Sequence, residues 1–297
     1  MSRLTQTMAM IAVLAGVLMA QVSSDGLVAF YPFTGNLLDA SGNGHKLDSL
    51  PTTDQRYIPK WVSDRMGVAN RADSFSGSTQ GLCTRADSFP TGSSARTLSA
   101  WVKLGLLSEP RTILSWGSDT GKTECTFIAK SAGGFDYLIL TNGTDSLIYK
   151  TTSLAKIQSW THLAVSLTST GFAKMYMGDS VLVSKQMSSW NTSAGWFGVG
   201  ASFRSRSNCL NPWFGCIDAV AIYKRALSDT EISTLSDNAT DQLIPTNVLV
   251  PNKVQYSVAT VEPSNVLYTI NGRSLKNRYV TGMLVGEKLK KMRHIQQ

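Results

Sequence analysis

Apolar and polar residues alternate with a period of two in short runs along most of this chain, and clusters of glycine, serine, asparagine and aspartate separate the runs. Residues 26–33, 98–103, 112–116, 125–129, 137–140, 160–167 and 172–179 each have the length and the apolar content of a strand. The stretch 213–227 shows the pattern best. Ile217, Ala219, Ala221 and Tyr223 alternate with Asp218, Val220, Ile222 and Lys224, as in a strand whose two faces meet different surroundings. A helix is expected directly after it, because Ser228-Asp229-Thr230-Glu231 is a capping box: Ser228 accepts from the Glu231 amide while the Glu231 side chain reaches back. Many short strands with turn residues between them predict an all-β fold, a sandwich of two antiparallel sheets with one short helix after the last strand.

The two ends of the chain read differently. Arg3 precedes an apolar run at 8–20, after which small polar residues appear. A membrane helix needs about 20 residues, so this shorter run fits a secretory signal over residues 1–24; the alternative is an uncleaved N-terminal anchor. No later run is long enough to span a bilayer, so a secreted or cell-surface protein with no membrane span after processing is expected. Residues 25–238 hold the strand pattern, and the polar stretch 239–245 reads as a linker. Beyond it, residues 246–297 carry further strand-like runs and an Asn271-Gly272 hairpin signal, which together predict a small β module. That module is basic. The formal charge of the chain is +8, but eight lysines and arginines against two glutamates lie from Pro245 onward. The main domain is therefore nearly neutral, and nucleic acid is not an expected partner.

Several segments also follow a recognisable order. Asp39-Ala-Ser-Gly-Asn43-Gly comes after an aromatic strand, followed by Phe75-Ser-Gly77, Leu98-Ser-Ala-Trp-Val, Trp160-Thr-His-Leu-Ala and finally Gly215-Cys-Ile-Asp218-Ala-Val-Ala-Ile-Tyr with Arg-Ala-Leu-Ser. This series resembles the laminin-G-like domain of the concanavalin A-like lectin and glucanase jelly rolls, over about residues 25–238. The resemblance implies a jelly-roll sandwich. It also implies a structural Ca²⁺ between the opening loop and the closing strand, where the positions that correspond are Asp39, Asn43 and Asp218. The competing reading of those residues is an Asx turn at Asp39 and a hydrogen bond from loop amides to Asp218. The tail, with Leu267-Tyr-Thr-Ile-Asn-Gly-Arg, a Gly-Met-Leu-Val strand and a lysine-rich end, resembles the C-terminal sorting domains of bacterial type IX secretion. That resemblance implies secretion or surface-anchoring machinery as a partner of 246–297; an ordinary β module or a basic arm for anionic surfaces is the alternative.

Candidate chemistry is sparse. Glucanases of this fold place their carboxylates as Glu-x-Asp-x-x-Glu. Here the five glutamates, Glu109, Glu124, Glu231, Glu262 and Glu287, never recur at that spacing, although retaining hydrolysis needs a close carboxyl pair. No nucleophile elbow or phosphate loop is present, and His162, inside a strand, reads as a hydrogen-bonded buried histidine. Four cysteines in an exported chain suggest disulfides. Cys209 and Cys216 bracket a turn and are the expected pair, leaving Cys83 with Cys125, although four cysteines allow three pairings. The absence of Cys-x-x-Cys and of nearby histidine argues against zinc. Aromatic, arginine and asparagine residues that suit a sugar concentrate in one loop-rich stretch, which nominates Trp190, Phe203, Arg204, Arg206, Asn208 and Asn211 as ligand-binding residues. The function expected is a non-catalytic binding protein for a polysaccharide or glycan. The rivals are a polysaccharide hydrolase or lyase of the same fold, and a structural adhesin with a protein partner.

Overall fold

The computed structural model describes residues 24–51, 58–118 and 120–237, together with the backbone of Leu267–Tyr268 and Ser274–Leu275. The chain divides into two units, Met1–Val248 and Leu249–Gln297. In the second, Leu267–Tyr268 and Ser274–Leu275 pair antiparallel with Leu267 opposite Leu275. The other expectations for 246–297, sorting function included, lie outside the described residues, as does the secretory run before Ser24.

The first unit is a two-sheet antiparallel sandwich, as the alternation predicts. Its strands are β1 (Leu27–Tyr31), β2 (Asp48–Ser49), β3 (Lys60–Val62), β4 (Ala72–Ser76), β5 (Leu82–Arg85), β6 (Arg96–Leu104), β7 (Arg111–Ser118), β8 (Thr123–Ala132) and β9 (Phe135–Thr141). They continue as β10 (Ser146–Thr151), β11 (Thr161–Leu167), β12 (Phe172–Met177), β13 (Ser180–Gln186), β14 (Trp196–Val199), β15 (Ser202–Ser205), β16 (Asn208–Leu210) and β17 (Phe214–Tyr223). One sheet runs β13-β12-β11-β6-β17-β4-β3, with β1 also on β17; the other runs β10-β9-β8-β7-β14-β5-β2. Strands distant in sequence are neighbours in both. The core lies between the sheets: Leu98, Ala100 and Val102 of β6 face Cys125, Phe127, Leu138, Leu140 and Leu147 in a single apolar cluster, with Trp116 and Trp213 buried in it.

Closing strand β17 departs from strict alternation. Its pairing with β6 slips between Asp218 and Ala221, and Ala219 takes φ 46°, a left-handed conformation that a side chain adopts only at some cost. This bulge absorbs one residue. Ile217, Val220 and Ile222 thereby all point into the core, while Ala221 and Tyr223 turn to the other face, where helix α1 (Asp229–Ser236) packs. Ile232 and Leu235 of α1 cover Phe30, Ala164, Tyr176, Ala221 and Tyr223. The capping box forms as expected, with Glu231 N donating to Ser228 Oγ and Ser228 N donating to Glu231. Lys174 Nζ and the Tyr176 hydroxyl both reach Asp229 at 2.8 Å and hold the start of the helix to β12.

The expected disulfides are corrected by the topology, since all four cysteines are free thiols. Cys125 on β8 and Cys83 on β5 are separated by β7 and β14. Three strand spacings come to about 14 Å, against the ~7 Å that a disulfide tolerates between α-carbons. Cys216 is held in β17 between Ser74 and Lys103, whereas Cys209 belongs to the separate β15–β16 hairpin. The turn between those two residues joins two layers of the structure instead of closing a loop.

Candidate functional site

The outer face of the second sheet is divided in two by the β15–β16 hairpin. Strand alternation sends Cys83, Ser115, Glu124, Thr126, Trp196 and Gly198 to this face, opposite the core residues Leu82, Leu114, Trp116, Cys125, Phe127, Phe197 and Val199. The hairpin lies over the β5–β14 side. It is tied down by Ser115 Oγ donating to the Ala201 carbonyl at 3.2 Å and by Arg206 pairing with Asp48 of β2 at 3.3 Å. Its approach depends on Gly198: a β-carbon there would fall within contact distance of the Ala201 carbonyl oxygen and 2.7 Å from the Phe203 ring. Gly198→Val is therefore expected to unseat the hairpin and lower stability by about 1–3 kcal/mol. Thermal melts together with proteolysis in 202–210 check this; an unaltered melt and digestion pattern would refute it.

A cleft forms where the hairpin meets the bare sheet. Ser115, Gly117, Glu124 and Thr126 line it from β7 and β8, Trp196 from β14, and Phe203, Arg204 and Leu210 from the hairpin. Thr126 Oγ1 donates to Glu124 Oε2 at 3.0 Å, and the Arg85 guanidinium lies 5.3 Å over the Trp196 ring. The face continues beyond the cleft across three strands in register. Thr126, Thr141 and Ser146 form a hydroxyl row, Ile128, Ile139 and Ile148 an apolar row, and Lys130, Tyr137 and Lys150 a basic row around an aromatic ring. None of the nine points into the core, and Ile148 is 48% exposed.

The nominated ligand residues are only partly brought together. Phe203 and Arg204 line the cleft. Arg206 is turned toward Asp48, while Asn208 is exposed beside it on β16. Asn211 has φ 50° and serves the fold, its carbonyl accepting from Thr112 N at 2.8 Å. Trp190 stands apart: it is 7% exposed, packed in the core with the Arg96 guanidinium 5.6 Å from its ring. Reading the sequence alone missed Trp196 as a cleft residue, and Ser115, Glu124 and Thr126 altogether. The alternation of β7 and β8 was the available signal, but it does not say which face the hairpin shares.

The residues nominated for calcium are all engaged within the protein. Both Asp39 oxygens accept backbone amides, Oδ1 from Phe30 and Ser41 and Oδ2 from His45, at 2.9–3.0 Å. Asn43 turns its Nδ2 to the Leu27 and Val28 carbonyls, so this amide end is a donor. Asp218 forms a buried ion pair with Arg65 at 2.8 Å and also accepts the Ala219 amide. The guanidinium, which lies 4.9 Å over the Trp101 ring, supplies the positive charge at the closing strand. The competing reading fits at Asp39, where Oδ1 accepts the Ser41 amide as in an Asx turn, but Asp218 is held by Arg65 in place of loop amides. Among the described residues no group of three His, Cys, Asp or Glu side chains converges.

Compared with known proteins, residues 76–233 match a family described as the concanavalin A-like lectin/glucanases superfamily. No curated protein matches the chain. Among solved structures, domain 4 of AbnA, a GH43 extracellular arabinanase from Geobacillus stearothermophilus in complex with arabinotriose, shares 21% identity at a TM-score of 0.56 and covers 71% of this chain and 98% of its own. The binding domain of Paraclostridial mosquitocidal protein 1 shares 16% at 0.53, covering 72% and 52%. A botulinum neurotoxin serotype D ligand binding domain in complex with N-acetylneuraminic acid shares 12% at 0.52, covering 72% and 51%. At these identities the likeness is one of fold.

Proposed function

Because this chain belongs to the concanavalin A-like lectin/glucanases superfamily, we propose that it is a non-catalytic module, exported from the cell, that binds a glycan along the outer face of its second sheet. The observation that carries the reading is the cleft at the edge of the hairpin. There an indole, a guanidinium and a carboxylate share one surface, with three hydroxyl side chains, Ser115, Thr126 and Ser202, in its lining. A sugar ring offers an apolar face suited to the aromatic Trp196 and hydroxyls suited to Glu124 and Arg204. The rows beyond, with Tyr137 among them, extend the same face far enough for a chain of several sugars. The solved relatives with arabinotriose and N-acetylneuraminic acid bound agree with a saccharide ligand.

Glu124 is the one carboxylate that lines the cleft among the described residues, whereas glycoside hydrolysis uses two flanking the scissile bond. This favours binding over turnover. No helix among the described residues is long and apolar enough to cross a membrane. In this reading residues 1–24 direct export and 246–297 sort the protein or hold it at the surface.

A glycan array with Trp196→Ala and Arg204→Ala tests the assignment. Each is expected to weaken the strongest signal about tenfold, roughly 1.4 kcal/mol, with Asn208→Ala near wild type. Unchanged binding by both variants removes the site. Reducing-sugar release from a bound polysaccharide would replace the reading with a hydrolase, and a pull-down partner that survives glycosidase treatment would replace it with an adhesin.

A further inference from the structure

Sheet order separates the expected cysteine pairs, while a different two, Cys83 and Cys209, border one apolar cluster. Cys83 on β5 stands in register opposite Gly198 of β14 and Asp48 of β2. The ring of Phe203 lies over Gly198 and also over Gly81, where a β-carbon would come within 2.8 Å of it. Phe203 is itself the direct cross-strand partner of Cys209 in the hairpin. Cys83, Leu50, Ala201 and Phe203 form one apolar cluster, and Cys209 packs against it. Two thiols thus flank the same small cluster, one from the sheet and one from the hairpin that covers it.

From this juxtaposition we infer that Cys83 and Cys209 form a disulfide under oxidising conditions, a bond that locks the hairpin onto β5 and fixes the hairpin side of the cleft. Cys209 is half-buried and Cys83 is 1% exposed, so Cys209 is the entry point. Its thiolate attacks one sulfur of an external disulfide such as oxidised glutathione, forming a mixed disulfide and releasing one glutathione thiolate. The Cys83 thiol, deprotonated as it attacks, then displaces the second glutathione from Cys209. Both protein protons end on the two glutathione thiols, and two protein thiols have been oxidised as one external disulfide is reduced. Cys125 and Cys216 lie on different sheets and remain thiols.

Full-length protein incubated with oxidised glutathione and digested without reductant gives the test by peptide mass spectrometry. The expected product is a peptide pair joined through Cys83 and Cys209, lighter by two hydrogens than the separate peptides, with fragmentation distinguishing Cys209 from Cys216. Cys209→Ser and Cys83→Ser should each abolish it, and Cys216→Ser should leave it. Because Cys209 is half-buried, Cys209→Ser keeps the test valid even if Cys83→Ser misfolds. Four free thiols, a persistent glutathione adduct on Cys209, or a bridge that uses Cys125 or Cys216 would each overturn the inference. The outcome does not depend on what the cleft binds; an intact 83–209 bridge with no glycan signal would sink the proposed function alone.

Discussion

Asp73→Asn is expected to raise the unfolding free energy by about 2–4 kcal/mol at pH 8 and to leave it unchanged near pH 3.5. Asp73 is 1% exposed on β4, on the core side beside Ile217, and its Oδ2 has no hydrogen-bond partner. Burial pushes its pKa up to about 7. Below about pH 4 the carboxyl is protonated in both folded and unfolded chains and costs nothing extra. Between pH 4 and 7 the unfolded chain ionises while the fold holds the proton, so stability falls as pH rises, and the full penalty is present above 7. Asparagine cannot ionise and escapes it. His162 has the opposite slope. Burial, with Arg65 nearby, pushes its pKa down to about 4, so stability is lost as pH falls from about 6.5 to 4, by about 3 kcal/mol. In the wild type the two slopes offset one another through that window. Urea titrations from pH 4 to 8 should therefore show a shallow wild-type profile and a variant that loses stability steadily toward acid. Parallel profiles for the two proteins would show that Asp73 does not carry the buried proton.

Arg96→Met is expected to cost about 3–5 kcal/mol, because the fold would lose four hydrogen bonds from one buried charged group, the bond to buried Thr192 among them. The side chain is wholly buried between Trp116 and Trp190, 5.6 Å from each ring. Its guanidinium donates to the Ser94 carbonyl at 2.8 and 3.0 Å, to the Gly92 carbonyl at 2.9 Å and to Thr192 Oγ1 at 2.8 Å. Methionine keeps the packing of the stem but gives up all four donated bonds and strands the buried Thr192 hydroxyl without its guanidinium partner. Lysine, with its point charge, should recover part of the loss. Urea unfolding at neutral pH measures both; a methionine variant within 1 kcal/mol of wild type, a margin typical of surface changes, would show that packing alone holds this corner.

Much of the sandwich is legible in the sequence, because strands with one face on a core and the other outside alternate in hydrophobicity. The capping box at Ser228 is legible too, being decided within four residues. The bulge at Ala219 is not: alternation assigns Ala219 and Ala221 to one face, and only pairing with β6 shows where a residue is skipped. Trp190 and Trp196 illustrate the same limit at the site. Both are tryptophans in a polar, turn-rich stretch, and a segment's own composition cannot tell which ring its neighbours will bury. The cysteines fail for a related reason. Closeness in sequence suggested 209 with 216, whereas sheet order sets which sulfurs meet.

The segment from 202 to 210 hangs between Val199 and Trp213, both fixed in the interior. Residues inserted or deleted at its tip would lengthen or shorten an overhang without disturbing either anchor. Descendants of one ancestral scaffold would then accept wider or narrower ligands by varying a single surface excursion, and a designer seeking altered selectivity would randomise that tip first.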